Sequence, residues 1–266
     1  MAWLFCLTIG LCSGFLGGLL GIGGGTVIVP ALLIALPQLG ILGADTTQIA
    51  VATSMAVIIP TSVASARAHA LRDAVDWSAL ARLAPGVAAG SLVGTFLAAT
   101  LSGKAMLATF IAFALFAIWR TVSAPATALA QDALPCLPGA TQLSLKGAGI
   151  GILSSLVGVG GGLLSVPLLA GHIPLKRAIG TGAALGLPLA AAGMIGYALA
   201  GHSQACGSAC LGYIYLPAAL ATSLASVATA PLGARLAHYC PVPMLKRAFA
   251  LLLAVVIADL AAKLVA

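Results

Sequence analysis

A run of glycines set in very apolar sequence occurs twice, once in each half of the chain. Residues 14–30 read GFLGGLLGIGGGTVIVP and residues 151–167 read GILSSLVGVGGGLLSVP. Gly14/Gly151, Leu16/Leu153, Gly21/Gly158, Gly23/Gly160, Gly24/Gly161, Gly25/Gly162, Val29/Val166 and Pro30/Pro167 coincide. Each glycine in a helix interior costs about 1 kcal/mol relative to alanine. Accepting that cost twice, at equivalent places, points to a duplicated chain whose helices are interrupted there. The duplication continues beyond the motif. Ala50-Val-Ala-Thr-Ser54 aligns with Ala178-Ile-Gly-Thr-Gly182, and Pro60 then meets Pro188. Gly94-Thr-Phe-Leu-Ala98 aligns with Gly233-Ala-Arg-Leu-Ala237, and Phe110 meets Phe249. The chain therefore divides into a first repeat, 1–122, a Pro-, Ala- and Thr-rich linker, 123–143, and a second repeat, 144–266.

Composition fixes the solvent. The chain is 61% hydrophobic and 6% charged, where a soluble domain carries about 25% charged residues. The apolar residues run in long blocks, which excludes a β-barrel of alternating ten-residue strands. An all-α polytopic membrane protein is the class that remains. Eight apolar segments are expected, at roughly 2–36 (broken at the glycines), 47–66, 78–100, 105–120, 144–171 (broken again), 178–200, 211–234 and 245–264. The N-terminal stretch has no basic lead-in and reads as a retained membrane segment rather than a signal peptide. A net charge of +7 does not indicate nucleic acid here, because Lys and Arg at helix ends fix orientation and meet anionic lipid.

Orientation follows from the basic residues. If all eight segments cross, the Lys and Arg divide six against six. If each glycine-broken segment instead dips in and returns, ten of them share one side and only Lys104 and Lys263 oppose. The second count obeys the positive-inside rule. It gives each half one re-entrant hairpin and three crossings, so the halves are inverted relative to each other. The short arms of the second break, 144–157 and 163–171, agree with a hairpin, since a full crossing takes about 20 residues. One long kinked helix per half is the alternative. In the inverted arrangement the loop holding Cys206 and Cys210 lies outside, where the pair either forms a disulfide or stays free.

Consecutive glycines at membrane depth unwind a helix, which is tolerated only in protein or beside a wet cavity. Where the chain restarts, free N–H groups and the positive end of the helix dipole point at the break. Such a site binds an anion without any charged side chain. Gly23, Gly24, Gly25 and Thr26 in the first copy, with Gly160, Gly161 and Gly162 in the second, are the expected substrate-binding positions. Thr53, Ser54 and Thr181, early in the next segments, add hydroxyls; Ser62 and Ser165 are weaker candidates. Close helix packing through small residues is the competing reading of the glycines. There is no Glu, and the five acids, Asp45, Asp73, Asp76, Asp132 and Asp259, fall away from mid-membrane. Cation carriers usually need intramembrane carboxylates, so the substrate is expected to be a small anion or neutral. The stretch from Arg67 through His69 to Trp77 reads mainly as an interfacial anchor, with a gate at His69 or Arg67 as the second option. His172, His202 and His238 sit at segment ends. Metal-ligand clusters, nucleotide or dinucleotide loops and known catalytic sets are missing from the sequence, so neither a cofactor nor an enzymatic activity is expected.

The paired G-x-GGG-x4-P motif, the Ala-[Val/Ile]-[Ala/Gly]-Thr segment after each copy, and the passage Arg67…His69…Val75-Asp76-Trp77 together resemble the sulfite exporter TauE/SafE family over nearly the whole chain. The resemblance implies a bacterial-type inner-membrane permease for sulfite, organosulfonates and related small anions. It also implies roles for Gly23 to Gly25, Gly160 to Gly162, Thr53, Ser54 and Thr181. Gly182 stands where the first copy has Ser54, and Leu163 faces Thr26, so any such site is asymmetric in its hydroxyls. A passive anion channel and a membrane scaffold are the rival functions.

Overall fold

The computed structural model describes residues 2–21, 23–123, 137–201 and 209–237, together with 251, 254 and 257. Among these the chain is almost wholly helical. In the first half α1 (Ala2–Leu20) and α2 (Gly25–Gln38) flank the glycine run, followed by α3 (Thr46–Ala70), α4 (Trp77–Thr100) and α5 (Gly103–Ser123). In the second half α6 (Ala140–Val157) and α7 (Gly162–Leu169) flank the run, followed by α8 (Leu175–Ala200), strands β1 (Cys210–Leu211) and β2 (Ile214–Tyr215), and α9 (Leu216–Ala237). The expected segment 245–264 lies largely outside the described residues, as do Asp132, Asp259, His202, His238 and Cys206.

Five described helices, α1, α3, α4, α8 and α9, are long and apolar enough to cross a membrane. Side chains are distributed to match. Phe96, Leu97, Leu115, Leu199, Leu220 and Leu224 are exposed, whereas Ser54, Thr61, Ser91, Thr95, Thr222 and Ser226 are buried. Lipid offers no hydrophobic drive between helices, so small residues and interhelical hydrogen bonds hold such a bundle. Thr61 and Ser226 hydrogen-bond hydroxyl to hydroxyl, and Ser91 donates to the Leu189 carbonyl at 2.8 Å.

The halves pack by exchange. The first helix of each half lies along the fourth helical element of the other, α1 on α9 and α6 on α4. Gly10, Gly14 and Gly18 of α1 press on the backbone at Thr222, Ser226 and Ala230, leaving no room for a side chain. Gly86 and Gly90 of α4 do the same at Ser144 and Ala148 of α6. The packing expected of small residues is therefore present at helical glycines outside the two runs, and Gly21 and Gly25 within the runs approach the Ile179 and Gly158 carbonyls as closely. α3 and α8 form the centre and run antiparallel: Gly180 lies beside His69 and Ala74, Gly186 beside Ser62, and Gly193 beside Met55.

Two boundaries differ from expectation. α6 begins at Ala140, inside the expected linker, and has 18 residues; α1 has 19. The first arm of the second break is therefore longer than the short-arm argument assumed, while α7, with 8 residues, is as short as expected. Residues 211–215 were expected to be the start of a helix but close an antiparallel hairpin, Cys210 opposite Tyr215 and Leu211 opposite Ile214. Gly212, at φ 60°, makes the turn, and Tyr213, Ile214 and Tyr215 favour extended backbone. Cys210 is disulfide-bonded, to a partner outside the described residues.

Candidate substrate site at the two glycine breaks

α1 ends where Gly21 takes φ 67°, and Gly23 and Gly24 follow at 75° and 78°. A side chain at such φ costs about 1–2 kcal/mol, so only glycine serves there readily. The chain turns back on itself: a methyl on Gly24 would lie 2.6 Å from the Ser13 carbonyl oxygen, two turns earlier on α1. α2 then starts at Gly25 and packs on α1 and α3. The second run behaves differently. Gly158 is left-handed at φ 76°, but Gly161, aligned with Gly24, is right-handed at φ −57°. α7 leaves α6 and lies on α8.

The two runs meet. Gly25 sits against the Gly158 carbonyl, with its Cβ position 2.9 Å from Val159 Cα, and the Cβ position of Gly23 is 3.5 Å from Gly160 Cα. All the described glycines of both runs are buried. In the first turn of α2 the Val27 amide bonds the Gly24 carbonyl at 3.0 Å, and the amides at the very start of α2 and α7 precede the first intrahelical bond. Ser54 bridges the halves: its hydroxyl reaches the Gly158 carbonyl at 2.8 Å and the Val51 carbonyl at 2.7 Å, donating to one at a time. Thr26 is buried in the first turn of α2.

Thr53 and Thr181 are buried but are not brought together. Thr53 Oγ1 accepts from the Tyr215 amide at 3.0 Å, and Thr181 Oγ1 accepts from the Asp76 amide at 2.9 Å. Each tethers the residue that precedes a helix of the opposite half, α9 or α4. The antiparallel register of α3 and α8 sets the two threonines roughly 20 Å apart along the pair. The hydroxyl nearest a break is that of Ser54, 2.8 Å from the Cβ position of Gly158, and Ser62 and Ser165, ranked lower on sequence, lie in the same region. Ser62 Oγ lies 3.5 Å from the Cβ position of Gly23, and Ser165 Oγ 3.2 Å from that of Gly182. Both are buried without a hydrogen-bond partner among the described residues. An i+8 spacing from Ser54 puts Ser62 on the same face of α3, a signal present in the sequence.

The described carboxylates lie at helix ends. Asp45 precedes α3, and the Asp76 carboxylate caps α4 by accepting from the Ala79 amide at 2.9 Å. Arg67 is exposed. His69, expected at an interfacial anchor, is 1% exposed, with Nε2 3.2 Å from the Gly18 carbonyl. His172 is half-buried, its Nδ1 3.2 Å from the Leu168 carbonyl. An open cavity of about 330 Å³ lies beside the α3–α4 turn, lined by Ala70, Asp73, Val75, Asp76, Trp77 and Arg177.

The family model described as sulfite exporter TauE/SafE matches residues 6–260. The chain is 35% identical over 257 residues to a "Probable membrane transporter protein" of Haemophilus influenzae, covering 95% of this chain and 96% of that one. It is 27% identical over 222 residues to "Probable membrane transporter protein YunE" of Bacillus subtilis, covering 76% and 80% respectively. A probable membrane transporter protein of Methanocaldococcus jannaschii is 28% identical over 237 residues, covering 86% and 84%. No solved structure matches the chain.

Proposed function

The chain belongs to the sulfite exporter TauE/SafE family, and from that premise we propose that it is a permease for small anions. Sulfite and related sulfur oxyanions or organosulfonates come first among them. The substrate binds at the paired glycine breaks and moves by alternating access. The observation that carries this reading is the contact between the breaks. Two helix starts with spare amides lie together, buried in an apolar bundle, beside the hydroxyls of Ser54, Ser62 and Ser165. Once the breaks part, they offer an oxyanion several N–H and O–H donors and no competing carboxylate.

In this reading the halves are inverted repeats, each with a re-entrant glycine hairpin and three crossings. The exchange of first helices between halves and the antiparallel α3–α8 pair support it. So does the basic side holding ten of the twelve Lys and Arg, which is taken as the cytoplasmic side of a bacterial-type inner membrane. The closed contact between the breaks favours a carrier over an open channel.

The test is anion flux in liposomes holding only this protein. Labelled sulfite is offered with and without a pH gradient, and thiosulfate, sulfate and taurine compete. The reading requires saturable, competed flux that empty vesicles lack, and its loss in Gly24→Val and Gly161→Val that still insert. Wild-type flux from both variants would remove the glycine breaks from the mechanism.

A further inference from the structure

Ser62 of α3 and Ser165 of α7 come from opposite halves, and both face α8. A Cβ on Gly186 would strike the Ser62 hydroxyl, and one on Gly182 would lie 3.2 Å from the Ser165 hydroxyl and 3.1 Å from Gly162 Cα. Gly182 and Gly186 share one face of α8 on successive turns. Ser62 also lies 3.5 Å from the Cβ position of Gly23, in the first glycine run. Both helix starts border the same place. α7 reaches it through Gly162, and α2 reaches it through Ile58, whose side chain touches the Cβ positions of Gly23, Gly25 and Gly186.

These two serines have a proton to give. Both are fully buried, and neither hydroxyl has a hydrogen-bond partner among the described residues. A buried hydroxyl without a partner is costly, and the cost is relieved when an acceptor arrives. Ser54, by contrast, is committed to the Gly158 and Val51 carbonyls. Thr222 provides a second contrast. It is buried and likewise unpartnered, but it sits where α9 packs on Gly10 of α1, well before the first run.

The charge that such a place can hold follows from its backbone. The N-terminus of a helix carries about half an elementary positive charge. α2 and α7 both start here, so together they offset about one negative charge. A hydroxyl adds a directed donor but no net charge. Every Lys and Arg whose side chain is described is exposed or half-buried. The second charge of a dianion would therefore be buried beyond what the two helix starts offset, which is expensive.

We propose that Ser62 and Ser165, one from each half, donate to two oxygens of a single oxyanion held on the glycine face of α8, and that the site takes a singly charged sulfonate-type anion in preference to a doubly charged one. The inference rests on the transport reading for its place in the cycle and deepens it by naming the charge class of the substrate. A permease for small anions needs neither this selection nor these two hydroxyls, so the two readings fail separately.

Methanesulfonate and sulfate have nearly the same shape and differ by one charge. Binding of radiolabelled methanesulfonate to the full-length protein in detergent is displaced by either anion at neutral pH and constant ionic strength. Unlabelled methanesulfonate is expected to displace at a concentration at least roughly tenfold below that of sulfate. Ser62→Ala and Ser165→Ala should each weaken methanesulfonate binding about tenfold. They should leave the thermal midpoint of the anion-free protein unchanged or higher, because each hydroxyl bonds nothing in the protein. Thr222→Val, which removes an equally unpartnered hydroxyl elsewhere, should leave binding unchanged. No methanesulfonate binding to the folded native protein, equal displacement by sulfate, or native binding in either alanine variant overturns the proposal. So does a fall in thermal midpoint in the two variants that matches that of Ser54→Ala. Flux in liposomes separates the two readings. Selective binding without methanesulfonate flux keeps the site and removes the transport reading, whereas comparable flux of sulfate and methanesulfonate keeps transport and removes the selection.

Discussion

The first glycine run reads GIGGG and the second GVGGG, yet they hold different backbones. Gly24 is left-handed at φ 78° and folds back on Ser13; Gly161, its counterpart, is right-handed at φ −57° and starts a helix that lies on α8. Sequence therefore decides that the chain breaks in both halves, because runs of glycine make a helix expensive. It does not decide which break is folded back, because glycine makes both states cheap. A motif that is nearly indifferent between two backbones suits the alternating access proposed above. The contacts outside the runs, rather than the runs themselves, choose the present state.

The largest difference between the halves is expected from alanine. At Gly24 a methyl meets a left-handed backbone and the Ser13 carbonyl, so Gly24→Ala should cost about 2–4 kcal/mol. At Gly161 the φ suits alanine and the nearest atom is the end of the Leu189 side chain at 3.3 Å, so Gly161→Ala should cost less than about 1 kcal/mol. Thermal stability of the two variants in detergent measures the contrast; equal losses would remove the conformational difference.

The next effect concerns the missing hydroxyl. Gly182 stands where the first half has Ser54, and a Cβ there would lie 2.8 Å from the Val166 side chain. Gly182→Ser, which makes the halves more alike in sequence, should therefore destabilise by about 1–3 kcal/mol through overpacking. Ser54→Ala, which frees the Gly158 carbonyl from its cross-half bond, should cost about 0.5–1.5 kcal/mol. A stabilising Gly182→Ser would show that the asymmetry is incidental.

The smallest effect is expected where the halves agree. Thr53→Val and Thr181→Val each strand one backbone amide, of Tyr215 or Asp76. Both should lose a similar amount, about 1 kcal/mol. Unequal losses would mean that the two tethers are not equivalent.

The helical membrane class was legible because it rests on composition: long apolar blocks and the near absence of charge. The hydroxyl roles were less so. Thr53 and Thr181 stood out as paired polar residues in apolar helices, but their amide partners lie 162 and 105 residues away, and no local pattern announces them. Ser62 and Ser165 ranked lower because a serine in a membrane helix commonly bonds its own backbone; that these two have no such bond depends on how α3 and α7 are packed. His69 looked interfacial because Arg67 and Arg72 flank it, and only the fold of α1 and α8 over it makes it buried. The hairpin at 210–215 was hidden by its apolar residues, which suit a membrane helix and a strand alike.

The central proposal, alternating access at the paired glycine breaks, here taken to proceed by an exchange of their two backbones, is tested most directly by Gly161→Ala. Alanine fits the present right-handed state, but the exchanged state requires the left-handed conformation that Gly24 now holds. The account predicts native thermal stability, with sulfite flux in liposomes reduced by roughly 5–30-fold, the factor that 1–2 kcal/mol of left-handed strain implies. Native stability with undiminished flux would contradict it.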